Sequence, residues 1–399
     1  MELFSILKQL EPDSEQLLYG GRSHLDRLYN LKNQFVGQVG ENFIQSFIDA
    51  YEKTGSPIVL NLDHNVGAYI ETNVIPAIQS GTIKTEKEIL EQVVAYAKRA
   101  TDELFGIVRA SAGHISALKM NEQSMLTFLL AVVPHFVLEA KRIYREECER
   151  LYNISVDPLI WTDEKLRDIP STTYQVAEII FSLGYQGIHV MPQLGPDISG
   201  ALQLVAQKMG NRGVVHVINM SHPSYPYVKQ NYFRGANGEE TIQKLRDAAL
   251  GKLEFDVDIG KKPIERVRIR ATATIEPATR PEEIQQSLAA YSELLFILAV
   301  EIGPQGSLVG SALYSGAHAE GIGRFAFLRK EDLDSIENIQ KKTKALKRSG
   351  LMALDARFSR QPYPLEKIMR ELQDFDPKIS DDAKHGVELV YDNIKTQKI

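Results

Sequence analysis

The stretch Asp163, Glu164, Lys165, Leu166, Arg167, Asp168 follows directly on the apolar run PLIWT and is rich in groups that can carry a charge or move a proton. In an extended chain, residues two apart point the same way, so Asp163 and Lys165 are expected to face one side together. Asp168 lies past a turn into a helix and escapes that constraint. Lys119 closes the run HISALK and Asp63 closes IVLNLD, so two Asp–Lys pairs can meet at one end of a sheet. Each ion would then offset the cost of holding the other away from water. Such a set stabilises charge that develops in a reaction and can supply a proton. Taken singly, a Lys or Asp at a strand end is usually a surface ion.

A second group of residues suits an anion. Gly303, Pro304, Gln305 and Gly306 follow the run LLFILAV, and Gly323 with Arg324 closes AEGIGR. Exposed backbone N–H groups, an amide and a guanidinium at those two places form a phosphate site in parallel barrels. Ser221, in Met220-Ser221-His222-Pro223, is either a helix cap or a donor to ligand. His64 and His222 lack spaced ligand partners and read as loop residues rather than metal ligands, so no metal site is expected. His189 and His216 fall inside strands and read as satisfied core histidines.

These residues need a frame that brings strand ends together. Short apolar or β-branched runs at 58–63, 114–119, 158–162, 186–191, 213–220, 267–274, 294–300 and 319–324 alternate with longer amphipathic segments. That alternation predicts parallel strands joined by crossover helices, and eight of them predict a closed (β/α)8 TIM barrel of the α/β class. Helices are expected from Glu86 to Leu104 and after Thr279, where Thr279, Pro281 and Glu282 form a helix-start signal. Residues 223–263 are too long for one crossover and are expected to form an elaborated loop with a helix near 239–250. Residues 1–34 form an N-terminal extension, 35–330 the barrel, and 331–399 a helical C-terminal extension with breaks at Gly350 and at Pro362 to Pro364.

The 399 residues are 43% hydrophobic and 25% charged, ample for a large core. A net charge of -6 gives no electrostatic footprint for nucleic acid or an anionic membrane. Cys148 is the single cysteine, which excludes an intrachain disulfide and fits a reducing cytoplasm. The first residues do not read as a signal peptide, and the apolar stretch 125–133 is about half of the ~20 residues that span a bilayer.

The motifs together carry a resemblance. DEKLRDIPST is similar to the Asp-x-Lys-x-x-Asp-Ile-Pro-x-Thr signature of orotidine 5'-phosphate decarboxylases, members of the ribulose-phosphate-binding barrel superfamily. NMSHP, ATRPEEI, IGPQG and IGR resemble that family's later motifs in order, and the first strand and ALKMNEQS are similar as well. The likeness covers roughly residues 40–330. It implies a cofactor-free lyase of UMP biosynthesis that converts orotidine 5'-phosphate to UMP and CO2. By the same resemblance, Lys119, Asp163, Lys165 and Asp168 are the catalytic charge network, with Asp168 serving the neighbouring subunit of a homodimer whose active sites are shared. Asp63 would bind the ribose, Ser221 the pyrimidine, Ile169 and Thr172 the partner's substrate, and Gln305, Gly323 and Arg324 the phosphate. Val300 and Glu301 stand where the family has Pro-Gly, and Ser307 replaces the second Gly of Gln-Gly-Gly. Neither departure touches the four charged residues. Two other readings remain: a sugar-phosphate lyase or synthase on the same barrel, which commonly needs a divalent metal, and a non-catalytic nucleotide-binding scaffold.

Overall fold

The structure is a computed structural model. It describes residues 3–10, 15–62, 69–120, 135–166, 168–192, 195–218, 247–260, 263–291, 293–302, 306–323, 335–373 and 379–396, apart from the side chains of 15, 16 and 301.

Ten strands are described: β1 (Ile58–Leu62), β2 (Ala117–Met120), β3 (Leu159–Leu166), β4 (Gly187–Val190), β5 (Gly213–His216), β6 (Leu250–Val257), β7 (Glu265–Arg270), β8 (Ala273–Pro277), β9 (Phe296–Ile302) and β10 (Ala319–Gly323). Eight of them close into a barrel in the order β1-β2-β3-β4-β5-β8-β9-β10, with β10 pairing back to β1. Every pair in the ring is parallel. The expected TIM barrel is therefore present, and helices flank it at both ends of the chain.

The period-two alternation of each strand divides the core in two. Ile58, Leu60, Leu118, Ile160, Ile188, Val190 and Val214 point outward into the helix layer. Val59, Ala117, Leu159, Trp161, Val215, Ala273, Leu298 and Ala319 point into the lumen. Helix Glu86–Ala110, in the outer layer, begins with a full capping box: the Glu88 N–H donates to Thr85 Oγ1 at 3.2 Å and the Thr85 N–H to Glu88 Oε2 at 3.0 Å.

Helix Glu41–Thr54 seals the floor, below the strand starts. The ring of Phe43 meets Trp161 and Phe296 edge to face at 5.5 and 6.0 Å between centroids. Gly187 and Gly213 open β4 and β5 because a Cβ on either would stand 2.8 or 2.5 Å from that ring. Helix Glu15–Asn33 lies against helix Ile336–Phe358, and they cross at Gly20, where a Cβ would come within 2.5 Å of the Asp355 nitrogen. A polar clamp fixes the first of these helices to the floor. His24 Nε2 sits 2.9 Å from the His318 carbonyl oxygen, and Arg27 donates to Glu293 Oε2 at 2.7 Å and to the Gly316 carbonyl at 2.6 Å.

Two expectations are corrected, and a third falls mostly on residues outside those described. The run at 267–274 is not one strand: β7 pairs antiparallel with β6 in a separate two-stranded arm that leans on helix Pro196–Lys208, and the barrel strand begins anew at Ala273. Thr272 marks the join, its Oγ1 accepting the Val214 N–H at 3.0 Å. The helix expected near 239–250 lies mostly outside the described residues, and strand β6 already starts at Leu250. Gly350 does not break the C-terminal helix, which runs through it. Glycine costs a helix about 1 kcal/mol, and here it lets the helix lie close to Pro57 and Ile58, where a Cβ would stand 3.1 and 3.2 Å from their side chains. No helix among the described residues is long and apolar enough to cross a membrane.

On the outer face of β10, Glu320 is fully buried and accepts the N–H groups of Gly310 at 2.6 Å and Ala312 at 3.3 Å. Burial outweighs both bonds and raises its carboxyl to about 8.

Candidate active site

At the carboxyl ends of β2, β3 and β4 the alternation brings polar side chains into the lumen. The outward positions of Leu118 and Ile160 leave Lys119, Asp163 and Lys165 facing inward, as expected for Asp163 and Lys165. Lys119 Nζ donates to Asp163 Oδ2 at 2.6 Å, and Lys165 Nζ stands 3.1 Å from Asp163 Oδ1. Adjacent strands pair in register, Lys119 beside Trp161, which is why the two charges from different strands meet.

Electrostatics follow from this enclosure. Burial pushes the Asp163 carboxyl up, but Lys119, His189 and Lys165 together overcome it and hold the group well below the usual carboxylate range. The carboxylate is thus ionised where a neutral acid would otherwise be preferred.

His189, read from sequence as a core residue, belongs to this site. Its Nδ1 lies 2.5 Å from Asp163 Oδ1, and its Nε2 accepts the Trp161 indole N–H at 3.1 Å. The Nδ1 approach is oblique, so neither atom completes a well-aligned bond and the contact is chiefly electrostatic. Desolvation lowers the ring's pKa against the opposing pull of Asp163, so His189 is neutral. Parity was the available signal: Ile188 and Val190 face outward, so the residue between them must face the lumen. His216 is also buried, but neither ring nitrogen has a partner among the described residues, and burial lowers it to about 4.

Asn61 was missed as well. It is 4% exposed, pairs in register with Lys119 on one side and Gly323 on the other, and its Oδ1 has no hydrogen-bond partner among the described residues. Gly323 ends β10 half-buried, one strand from Asn61 and two from Lys119. At ~4.8 Å per strand, it stands about 10 Å from the lysine strand.

Asp168 does not join the cluster within one chain. It is exposed; its Oδ1 accepts the Ile169 N–H at 2.7 Å and its carbonyl accepts the Thr173 hydroxyl at 3.0 Å. Ile169 is 62% exposed, and Thr172 is half-buried in the first turn of helix Pro170–Ser182. Asp63, Ser221, Gln305 and Arg324 lie outside the described residues, as does the side chain of Glu301. Ser307 is buried. Among the described residues no group of three His, Cys, Asp or Glu is arranged to hold a metal ion.

No family model matches the chain. Curated proteins do match. The orotidine 5'-phosphate decarboxylase of Methanosarcina mazei is 28% identical over 162 residues, covering 41% of this chain and 61% of that protein. Those of Methanococcoides burtonii and Pyrococcus abyssi are 27% and 28% identical over 171 and 166 residues, covering 66% and 64% of their lengths. The chain thus spans somewhat under two thirds of these relatives. Among solved structures, orotidine 5'-phosphate decarboxylase from Pyrococcus horikoshii aligns with a TM-score of 0.42 at 20% identity, covering 73% of this chain and 97% of that one. The Methanocaldococcus jannaschii enzyme complexed with the inhibitor BMP aligns at 0.40 and 22%, covering 62% and 92%. By its motifs and its sequence relatives alike, the chain resembles the orotidine 5'-phosphate decarboxylase family.

Proposed function

We propose that the protein is an orotidine 5'-phosphate decarboxylase. The observation that carries this reading is the Lys119–Asp163–Lys165 network, with Lys119 and Asp163 buried and Lys165 half-buried, aimed into the lumen at the carboxyl ends of β2 and β3. The reaction breaks the bond between C6 of the pyrimidine and its carboxylate. CO2 leaves, the electron pair stays on C6, and a proton replaces it. No conjugated sink takes that pair, so the site must stabilise charge where it appears. Lys165 supplies the ammonium and then the proton. Within ~4 Å of the developing charge it contributes about 4 kcal/mol at an effective dielectric of ~20. Asp163, ionised and beside the substrate carboxylate, raises the energy of the bound ground state, and Lys119 holds Asp163 in place.

Asp63 and Ser221 are assigned to the ribose and the pyrimidine, and Gln305, Gly323 and Arg324 to the phosphate. Phosphate binding far from C6 then contributes to fixing the ring. The sites are shared in a homodimer, with Asp168, Ile169 and Thr172 reaching the partner's substrate. The exposure of Asp168 and of the apolar Ile169, both outside their own chain's cluster, supports this arrangement. The barrel domain is assigned to 35–330; of the flanking segments, 1–34 serves its floor, and 331–399 packs on its wall and reaches the loop after β9, where the Ser380 N–H donates to the Gly306 carbonyl at 2.9 Å. A cytoplasmic location suits a chain whose single cysteine is buried.

The decisive experiment follows loss of orotidine 5'-phosphate absorbance with and without EDTA. Turnover by the parent protein, insensitive to EDTA and abolished in Lys165→Ala, is expected. An inactive parent, or a Lys165→Ala protein of near-full turnover, rejects the reading.

A further inference from the structure

The neutral His189 ring has two tautomers, and its neighbours select one. An indole nitrogen only donates, so with Trp161 Nε1 at 3.1 Å, His189 Nε2 must present its lone pair. The ring proton then sits on Nδ1, the atom 2.5 Å from Asp163 Oδ1. Two lone pairs at that separation would repel, so the Asp163 contact demands the same tautomer independently. Trp161 and Asp163 lie two apart on β3, and His189 bridges them from β4; Trp161 and His189 are each 1% exposed and Asp163 6%.

This brace has a consequence for the reacting lysine. Asp163 Oδ2 is taken by Lys119 at 2.6 Å, while Oδ1 faces both His189 Nδ1 at 2.5 Å and Lys165 Nζ, in ion-pair contact at 3.1 Å. We propose that Trp161 and His189 are positioning residues: the ring, oriented by Trp161, fixes the Asp163 carboxylate and, through it, the place of the Lys165 ammonium. The inference rests on the decarboxylase reading for its kinetic consequence, but the brace itself is a property of the resting protein. Lys119, Lys165 and His189 are the charged or titratable groups that face Asp163 among the described residues. Burial and both lysines favour the neutral imidazole, which keeps the arrangement the same across neutral pH.

The tautomer is read first, by nitrogen NMR of the parent protein with labelled histidine. The expected signal for His189 is a neutral ring protonated on Nδ1 alone from about pH 6 to 8, with Nε2 shifted as an acceptor and that shift lost in Trp161→Phe. A proton on Nε2, or titration to the cation near the ordinary value of about 6.5, overturns the brace. Kinetics then test its purpose. His189→Leu removes the ring that holds the Asp163 carboxylate, so Asp163 and with it Lys165 lose their fixed place: kcat is expected to fall at least about tenfold with KM changed less than about threefold. Without the electrostatic pull of His189, the Asp163 carboxyl protonates more readily and the acid limb of kcat moves to higher pH. His189→Asn, whose amide N–H falls near the Nδ1 position, recovers most of the lost kcat. Unchanged kcat and pH profile in His189→Leu, or equal losses in folded Asn and Leu variants, overturns the positioning role. If the parent does not decarboxylate orotidine 5'-phosphate, the functional reading fails, while the nitrogen signal still decides the brace.

Discussion

Lys119 Nζ and Asp163 Oδ2 stand 2.6 Å apart on neighbouring strands, with side chains only 4% and 9% exposed. A buried pair of this kind is costly to break because the survivor keeps its charge without its counter-ion. Lys119→Ala is expected to cost about 3–5 kcal/mol in urea unfolding. Removing both partners as Lys119→Met with Asp163→Leu should cost clearly less than the sum of the single changes. Additive losses would show that the two charges do not depend on each other.

The placement of Asp168 outside its own chain's cluster makes the shared-site reading testable by mixing. A confirmed heterodimer of Lys165→Ala and Asp168→Ala subunits should hold one intact site, while each variant alone is inactive. Inactive heterodimers would mean that Asp168 works within its own subunit or not at all.

The barrel floor offers a purely steric test. Gly187→Ala or Gly213→Ala drives a Cβ into the Phe43 ring and should cost about 1–3 kcal/mol, the usual penalty of overpacking. Adding Phe43→Leu should recover part of that loss, so the double variants are non-additive in the favourable direction. Calorimetric midpoints of the parent, single and double variants measure this directly.

Glu320 predicts a pH dependence of stability. Its carboxyl, raised by burial from 4.5 to about 8, keeps its proton in the folded chain at pH values where the unfolded chain has lost it. The native state therefore binds more protons across that window, and stability, fully present below about 4.5, declines as pH rises toward about 8. Glu320→Gln stays neutral and should flatten the decline between pH 5 and 8, as read from urea midpoints at a series of pH values. An identical slope in parent and variant would assign the effect to other groups.

Much of this arrangement was legible in the residues. β-branched runs located the barrel strands, and simple alternation aimed Asp163 and Lys165 together. Two things were not. VRIRATAT holds two strands of equal β-propensity with no Gly or Pro between them, and only Thr272, by taking over a backbone hydrogen bond of β5, separates the antiparallel arm from the barrel. His189 was visible as a lumen-facing position, but its partners come from β3, and the pairing of β3 with β4 in space is not written in either strand alone. Gly350 misled for a related reason: the signal that ends an isolated helix is here what lets one approach β1.

The clamp between His24 and His318 joins positions 294 residues apart. During synthesis helix Glu15–Asn33 can meet helix Glu41–Thr54 early, but its partners at Glu293, Gly316 and His318 and in helix Ile336–Phe358 are made much later. Chaperone demand and vulnerability to proteases during translation should concentrate on that segment, and a truncation that ends before helix Ile336–Phe358 should unfasten helix Glu15–Asn33.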